Sequence, residues 1–284
     1  MHSIETRTLQ VPGARLHYEV SGTGPLLLMI PGAPADAGAL SGLAAQLCDR
    51  YTVVNYDQRG LSRSSLAGPI EDQDVEAFSE DAHRLLTALG SEPAFVLGNS
   101  GGALTGLDLA ARHPEQVRAL VAHEPPIPEL LPDRTDWRAA FQDVHDTYRS
   151  EGPGMAMMKF VATVQGDDAA PPVMPDPSQM PPEALEMMGR IQGNLDYFLA
   201  HVLLPVLRFE PDIAALRSTR IAVGVGASSP EGVPLRSARA LAERLDVKPV
   251  EFPGDHQGLA SDAAAGAEIV HDTFTRITGT EAPH

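Results

Sequence analysis

The residues Gly98-Asn99-Ser100-Gly101-Gly102 follow a short apolar run at 94–97 and open onto small, helix-forming residues from Ala103. A serine at the tip of a strand–turn–helix can act as a nucleophile, because the sharp turn stands its Oγ clear of the backbone. The turn brings strand and helix very close, and glycine at 98 and 102 removes the side chains that would block the approach. The N–H of Gly101 then lies at a helix N-terminus, where the dipole favours a developing oxyanion. This arrangement is chemistry for acyl transfer, with Ser100 as the attacking group.

A serine nucleophile needs a base, an acid to orient that base, and a second oxyanion donor. His256, in Phe252-Pro253-Gly254-Asp255-His256, falls between the last expected strand and the final helix, and is the base. Pro31-Gly32-Ala33-Pro34 follows the strand at 26–30. Pro31 has no N–H, so Ala33 is the expected second donor beside Gly101. The acid has two candidates. The segment after the strand at 221–226 reads Ala-Ser-Ser-Pro-Glu-Gly, and Glu231 is its only carboxylate. Glu124 directly follows the strand at 117–122, next to the serine strand, and two prolines stiffen its loop. Glu124 is preferred and Glu231 is the alternative. Asp255 adjoins His256 in sequence and reads as a loop residue.

Other polar clusters carry less. Asp57-Gln58-Arg59-Gly60 reads as a turn in which Asp57 and Arg59 tie loops together. His17, His83, His113 and His145 lack motif context, while His201 is a candidate for the pocket. There is no H-E-x-x-H metal spacing and no G-x-G-x-x-G fingerprint, so neither a metal nor a cofactor is expected.

The elements that must position these groups follow from composition and periodicity. The chain has 284 residues, 43% of them hydrophobic, which suffices for a sizeable core. Its formal charge is −17, from 21 basic and 38 acidic residues. That argues against nucleic acid and anionic membrane surfaces as partners. Cys48 is the single cysteine, so no internal disulfide forms, and its apolar neighbours make it a core residue. No apolar leader or bilayer-length run is present, and a cytoplasmic location is expected. Strands are expected at 6–11 and 15–20, as an edge hairpin, and at 26–30, 52–56, 94–97 and 117–122. Strand–helix alternation implies a mostly parallel, doubly wound α/β sheet. The alternation stops at Pro125. A proline- and methionine-rich stretch follows, with helices expected at 136–150, 154–164, 182–194 and 195–207. A helical cap over residues 126–212 is therefore expected, inserted between core segments 1–125 and 213–284. The sheet resumes at 221–226 and ends at 249–252, before a C-terminal helix at 261–277. Trp137, Met155, Met158, Tyr197, Phe198 and His201 are the cap residues proposed to line a pocket for a bulky apolar substrate. A homodimer is left open.

Taken in order, Pro-Gly-Ala, Asp-Gln-Arg-Gly-x-Ser, Gly-Asn-Ser-Gly-Gly and Pro-Gly-Asp-His resemble an α/β-hydrolase fold with a helical cap. More narrowly, Arg-Gly-Leu-Ser-Arg-Ser-Ser at 59–65, Ser-Gly-Gly-Ala at 100–103, His-Glu-Pro-Pro at 123–126 and Val-Gly-x-x-Ser-Pro within 223–230 resemble the zearalenone lactonases. That resemblance implies the catalytic acid at Glu124 and a macrolactone substrate. The expected function is a cofactor-independent serine hydrolase of apolar carboxylic esters or lactones. A general carboxylesterase, a perhydrolase or carbon–carbon hydrolase using the same triad, and a non-catalytic ligand receptor are the rival readings.

Overall fold

A computed structural model describes residues 3–166 and 180–279. The unbroken apolar run at 26–30 and the expected strand at 52–56 become β3 (Leu26–Ile30) and β4 (Thr52–Tyr56) at the expected bounds. They lie in one sheet with β1 (Glu5–Val11), β2 (Ala14–Ser21), a two-residue β5 (Ser65–Leu66), β6 (Ala94–Asn99), β7 (Val117–His123), β8 (Ile221–Gly226) and β9 (Val250–Phe252). The order is β1-β2-β4-β3-β6-β7-β8-β9, with β5 paired to β2. From β4 to β9 the pairings are parallel; β1 and β2 form the edge hairpin, and β2 joins β4 antiparallel. The short β5 has too few residues to leave a periodic signal in the sequence.

Alternate residues of the central strands feed two separate layers, as a period of two requires. Leu28, Ile30, Val54, Val96 and Leu120 face α2 (Val75–Leu89), α3 (Gly101–Arg112), α8 (Ile213–Leu216) and α9 (Val233–Leu245). Leu27, Met29, Val53, Phe95 and Leu97 face α1 (Ser41–Leu47) and α11 (Ala263–Thr278). Cys48 is buried in this second layer. Val270 and Phe274 of α11 are fully buried, each contributing about 1.5–3 kcal/mol. The expected C-terminal helix is divided at Asp262, whose carboxylate accepts from Ala265 N and starts α11 after the short α10 (Gly258–Ser261). Chain order reverses between β3 and β6, so the crevice at their C-terminal ends is where an open α/β sheet places ligands.

Between β7 and β8 the chain forms α4 (Arg134–Glu151), α5 (Pro153–Gln165), α6 (Pro182–Tyr197) and α7 (Leu203–Val206). They enclose their own apolar cluster around Phe141, Val144, Ala156, Phe198, Leu199 and Val202. The sequence reading divides the helices at Asn194. Instead, α6 runs through to Tyr197, passes into a π-turn at Phe198–Val202 and continues as α7. Pro205 supplies the reason: it has no N–H for the His201 carbonyl, which accepts from Gln73 N at 2.8 Å instead. The expected cap residues Pro171 and Met174 lie outside the described residues. Among the described residues, no helix is long and apolar enough to cross a membrane.

Candidate active site

The turn after β6 has the strain that its glycines imply. Ser100 sits at φ 54°, ψ −123°, in a region costly for a residue with a side chain. A Cβ at Gly98 would lie 2.5 Å from Gly102 O, and one at Gly102 would lie 2.2 Å from Ile30 O. Neither position admits a larger residue without movement of the backbone. The main chain of Ser100 is held by its N–H, which donates to His123 O at 2.9 Å. Its Oγ makes no side-chain cap to α3 and faces the crevice.

The loop after β3 folds over this turn. A Cβ at Gly32 would lie 2.8 Å from Ser100 Cβ, and one at Gly101 would lie 3.5 Å from Ala33 N. Gly101 is the first residue of α3, so its N–H has no partner within the helix. The Ala33 N–H likewise has no protein acceptor among the described residues. Two unpaired donors thus flank one small volume beside Ser100 Oγ.

Glu124 continues β7 with φ 44°, its N–H donating to Gly224 O at 3.0 Å. Because β7 lies between β6 and β8, this places Glu124 beside the serine turn, with Asn99 paired to His123 in register. The Glu124 carboxylate is fully buried. Its Oε1 accepts from Gly226 N at 2.9 Å, and its Oε2 lies 2.6 Å from His256 Nδ1. Burial alone would raise the Glu124 pKa, but the His256 ring and the Gly226 N–H outweigh it and hold the carboxyl below its ordinary value. The tip of β8, which carries no carboxylate, therefore donates to the acid that β7 supplies. Glu231 does not reach this cluster; its carboxylate is 68% exposed and pairs with Arg239 at 2.5 Å. His256 stands in the turn after β9, where Gly254 takes φ 71° and Gly258 N donates to Asp255 O. The His256 ring and Ser100 share one crevice without a direct hydrogen bond.

Sequence reasoning missed a second pair. His123 Nδ1 is 2.8 Å from Asn99 Oδ1, and its ring lies 6.4 Å from that of His256. Burial pushes His123 down to about 4; the nearby Glu124 opposes this and His256 reinforces it. The imidazole is therefore neutral near pH 7. Its signal in the sequence was position alone, since both partners immediately precede residues already singled out.

The crevice has a volume of about 530 Å³, within the roughly 300–1,000 Å³ typical of small-ligand sites. Among the described residues its lining includes no Asp, Glu, Lys or Arg. Of the six expected pocket residues only Phe198 lines it. Met155 and Met158 are 48% and 69% exposed. The cavity stripe of α5 is Met157, Phe160, Val161 and Val164, a helical i, i+3, i+4, i+7 set that was visible in the sequence. Trp137 packs on Phe141 beneath the Arg236 guanidinium, and it is Phe141, one turn on, that enters the cavity. Tyr197 instead covers Gly60, where a Cβ would lie 2.3 Å from its ring, and burial pushes its hydroxyl up to about 12. His201 pairs with Asp72 at 3.0 Å.

The expected loop-tying role of Asp57 and Arg59 holds. Buried Asp57 pairs with Arg63 and accepts from Ala37 N, while Arg59 holds buried Asp81 through two contacts of 2.5 and 2.7 Å.

Residues 25–155 match the family model of the α/β-hydrolase fold. An uncharacterised hydrolase, YraK, of Bacillus subtilis (strain 168) is 38% identical over 282 residues, covering 96% of this chain and 97% of that protein. Two solved structures share the fold. An esterase of Thermogutta terrifontis superposes with TM-score 0.72 at 20% identity, covering 98% of this chain and 99% of its own. An α/β hydrolase of Sphaerobacter thermophilus superposes with TM-score 0.67 at 24% identity, covering 95% and 100%.

Proposed function

This chain belongs to the α/β-hydrolase fold family, and from that premise we propose that it is a serine hydrolase of neutral, apolar carboxylic esters, a zearalenone-type macrolactone being the sharpest candidate. The observation that carries the reading is the 2.6 Å contact of Glu124 Oε2 with His256 Nδ1, at a crevice shared with the strained Ser100.

The chemistry follows from these positions. His256 Nε2 takes the proton of Ser100 Oγ as the oxygen attacks the ester carbonyl carbon. The carbonyl π pair moves onto oxygen, and the N–H groups of Ala33 and Gly101 stabilise the resulting oxyanion. Collapse breaks the bond to the alkoxide, which leaves with the proton from His256 Nε2. Water then attacks the acyl-enzyme by the same route and releases the carboxylic acid. Throughout, Glu124 accepts from Nδ1–H, which fixes the tautomer and stabilises the imidazolium. No step calls for a cofactor. The uncharged lining supports a neutral substrate, because an ionised group would enter this crevice without a counter-charge. In this reading α4–α7 act as a cap that selects the substrate. For the lactone itself, the support is the His-Glu step of the sequence together with a roomy apolar cavity.

The test is hydrolysis of p-nitrophenyl esters and of zearalenone by wild type, Ser100→Ala, Glu124→Ala and Glu231→Ala, with covalent labelling by a fluorophosphonate. The reading requires that Ser100→Ala abolish labelling and that Glu124→Ala, not Glu231→Ala, lose activity by orders of magnitude. Cleavage of p-nitrophenyl esters without cleavage of zearalenone would leave the esterase and remove the lactone.

A further inference from the structure

Helix α6 has two working faces. Met188, Ile191, Gln192 and Leu195 line the crevice. The neighbouring stripe, Arg190, Asn194 and Tyr197, turns toward the sheet loops. Arg190 Nε donates to Asp36 Oδ2 at 2.5 Å, and Asp36 is fully buried. Asn194, 4% exposed, donates from Nδ2 to Pro34 O at 2.8 Å and to Ser62 Oγ at 2.9 Å. Its Oδ1 accepts from Ser62 N at 2.6 Å, at a residue held at φ 49°. Both amide hydrogens of Asn194 and a lone pair of its Oδ1 are thus spent on two loops of the core.

One of those loops carries the Ala33 N–H. Pro34 and Asp36 flank it on the C-terminal side, and on the N-terminal side it continues from β3. Apart from α6, its ties beyond β3 are Ala35 N to Gly32 O at 2.9 Å, Ala37 N to Asp57 Oδ1 at 3.0 Å, and Asp36, whose Oδ1 accepts from Gly38 N at 2.9 Å and whose carbonyl accepts from Ala39 N at 3.0 Å. An oxyanion donor acts only if it is already aimed when charge develops, so a loop free to shift by a fraction of an ångström loses much of its effect.

We propose that Arg190 and Asn194 are positioning residues, which lock the Ala33 donor loop to the same rigid helix that forms a wall of the substrate crevice. The inference rests on the oxyanion reading above. The cavity wall and the donor thereby move as one body, so the group that reads the bulk of the substrate also sets the alignment of the reaction centre.

The experiment compares wild type, Arg190→Met, Arg190→Lys and Asn194→Leu, each verified by circular dichroism and thermal melting. Steady-state hydrolysis of p-nitrophenyl butyrate is measured together with inhibition by an alkyl trifluoromethyl ketone and its methyl ketone counterpart. The fluorinated ketone forms a hemiketal: Ser100 Oγ adds to the carbonyl carbon, its proton passes to His256, and the oxyanion needs the donor loop. The methyl ketone fills the crevice without stable addition. The expected result is a kcat lower by roughly 10- to 100-fold, less than the 10²–10³ for outright loss of a donor. KM and methyl ketone affinity should change less than about threefold, while trifluoromethyl ketone affinity falls in step with kcat/KM. Arg190→Lys restores most of the loss by keeping the charge opposite Asp36. Folded variants with unchanged kcat and trifluoromethyl ketone affinity would overturn the proposal, as would equal loss of both ketones. If Asn194→Leu does not fold, the two Arg190 variants decide alone. A wild type indifferent to the trifluoromethyl ketone, or an active Ser100→Ala, would remove the oxyanion reading itself.

Discussion

His123→Asn should flatten the acid limb of the stability curve. In the native protein burial holds His123 at about 4, against an ordinary 6.5. The unfolded chain therefore binds one more proton than the native state between those values, and stability must fall as pH falls. With 1.36 kcal/mol per pKa unit, integration from pH 7 to pH 4 costs the native state about 3 kcal/mol, roughly two-thirds of it by pH 5. Asparagine keeps the contact, since its Nδ2–H can donate to Asn99 Oδ1 in place of the imidazole Nδ1–H. The carboxylates of Glu124 and Asp57 are held below their ordinary values, so their share of stability is present above about 4.5 and is lost only below it. The pH 5–7 window is therefore diagnostic for histidine. His271, also lowered by burial, contributes the same slope to both proteins and cancels. Urea unfolding at pH 7, 6 and 5 measures the difference. Wild type should lose about 2 kcal/mol more than His123→Asn over that window. Parallel curves would refute the argument, because they would mean that His123 protonates as readily folded as unfolded.

Three further outcomes are expected. Glu124→Gln keeps the shape of the acid but reverses the hydrogen-bond preference of His256 Nδ1, so kcat should fall by about 10⁴-fold with near-native melting; stopped-flow and steady-state ester hydrolysis check it. Gly102→Ala drives a methyl into Ile30 O at 2.2 Å, and urea titration should show a loss of at least about 2 kcal/mol, the scale of a strained or overpacked site. Arg59→Met leaves Asp81, 1% exposed, without its cation, which should cost about 3–5 kcal/mol at neutral pH and less at low pH, where the carboxyl protonates.

Much of the core was legible because its signals are local. An unbroken apolar run of five residues between Gly24-Pro25 and Pro31-Gly32 is too short for a helix and reads as a strand buried on both faces, and it became one at the expected residues. The serine turn was readable for a different reason. Gly98 and Gly102 are demanded by backbone approach, and the clashes a side chain would make there are severe. The helical segment was read less well. Its helices exist near the expected places, but two of its methionines, Met155 and Met158, were assigned to the wrong face, although the stripe beginning at Met157 recorded the phase. The continuation of α6 past Asn194 was legible, since no residue there breaks a helix, but the π-turn was not, because the effect of Pro205 is felt four residues earlier.

Sequence alone determined the order of the elements, the serine turn and the identity of the residues that could hold a proton or an oxyanion, since each depends on residue type and near neighbours. Only the tertiary structure shows which of the two carboxylates meets His256. Glu124 and His256 are 132 positions apart, and nothing in either local pattern measures that gap. Strand order closes it: β7 lies between the serine strand and β8, so its tip meets the His256 loop while Glu231 turns out to Arg239. The grip of Arg190 and Asn194 on the loop after β3 likewise exists only once a helix some 155 residues downstream lies across the sheet.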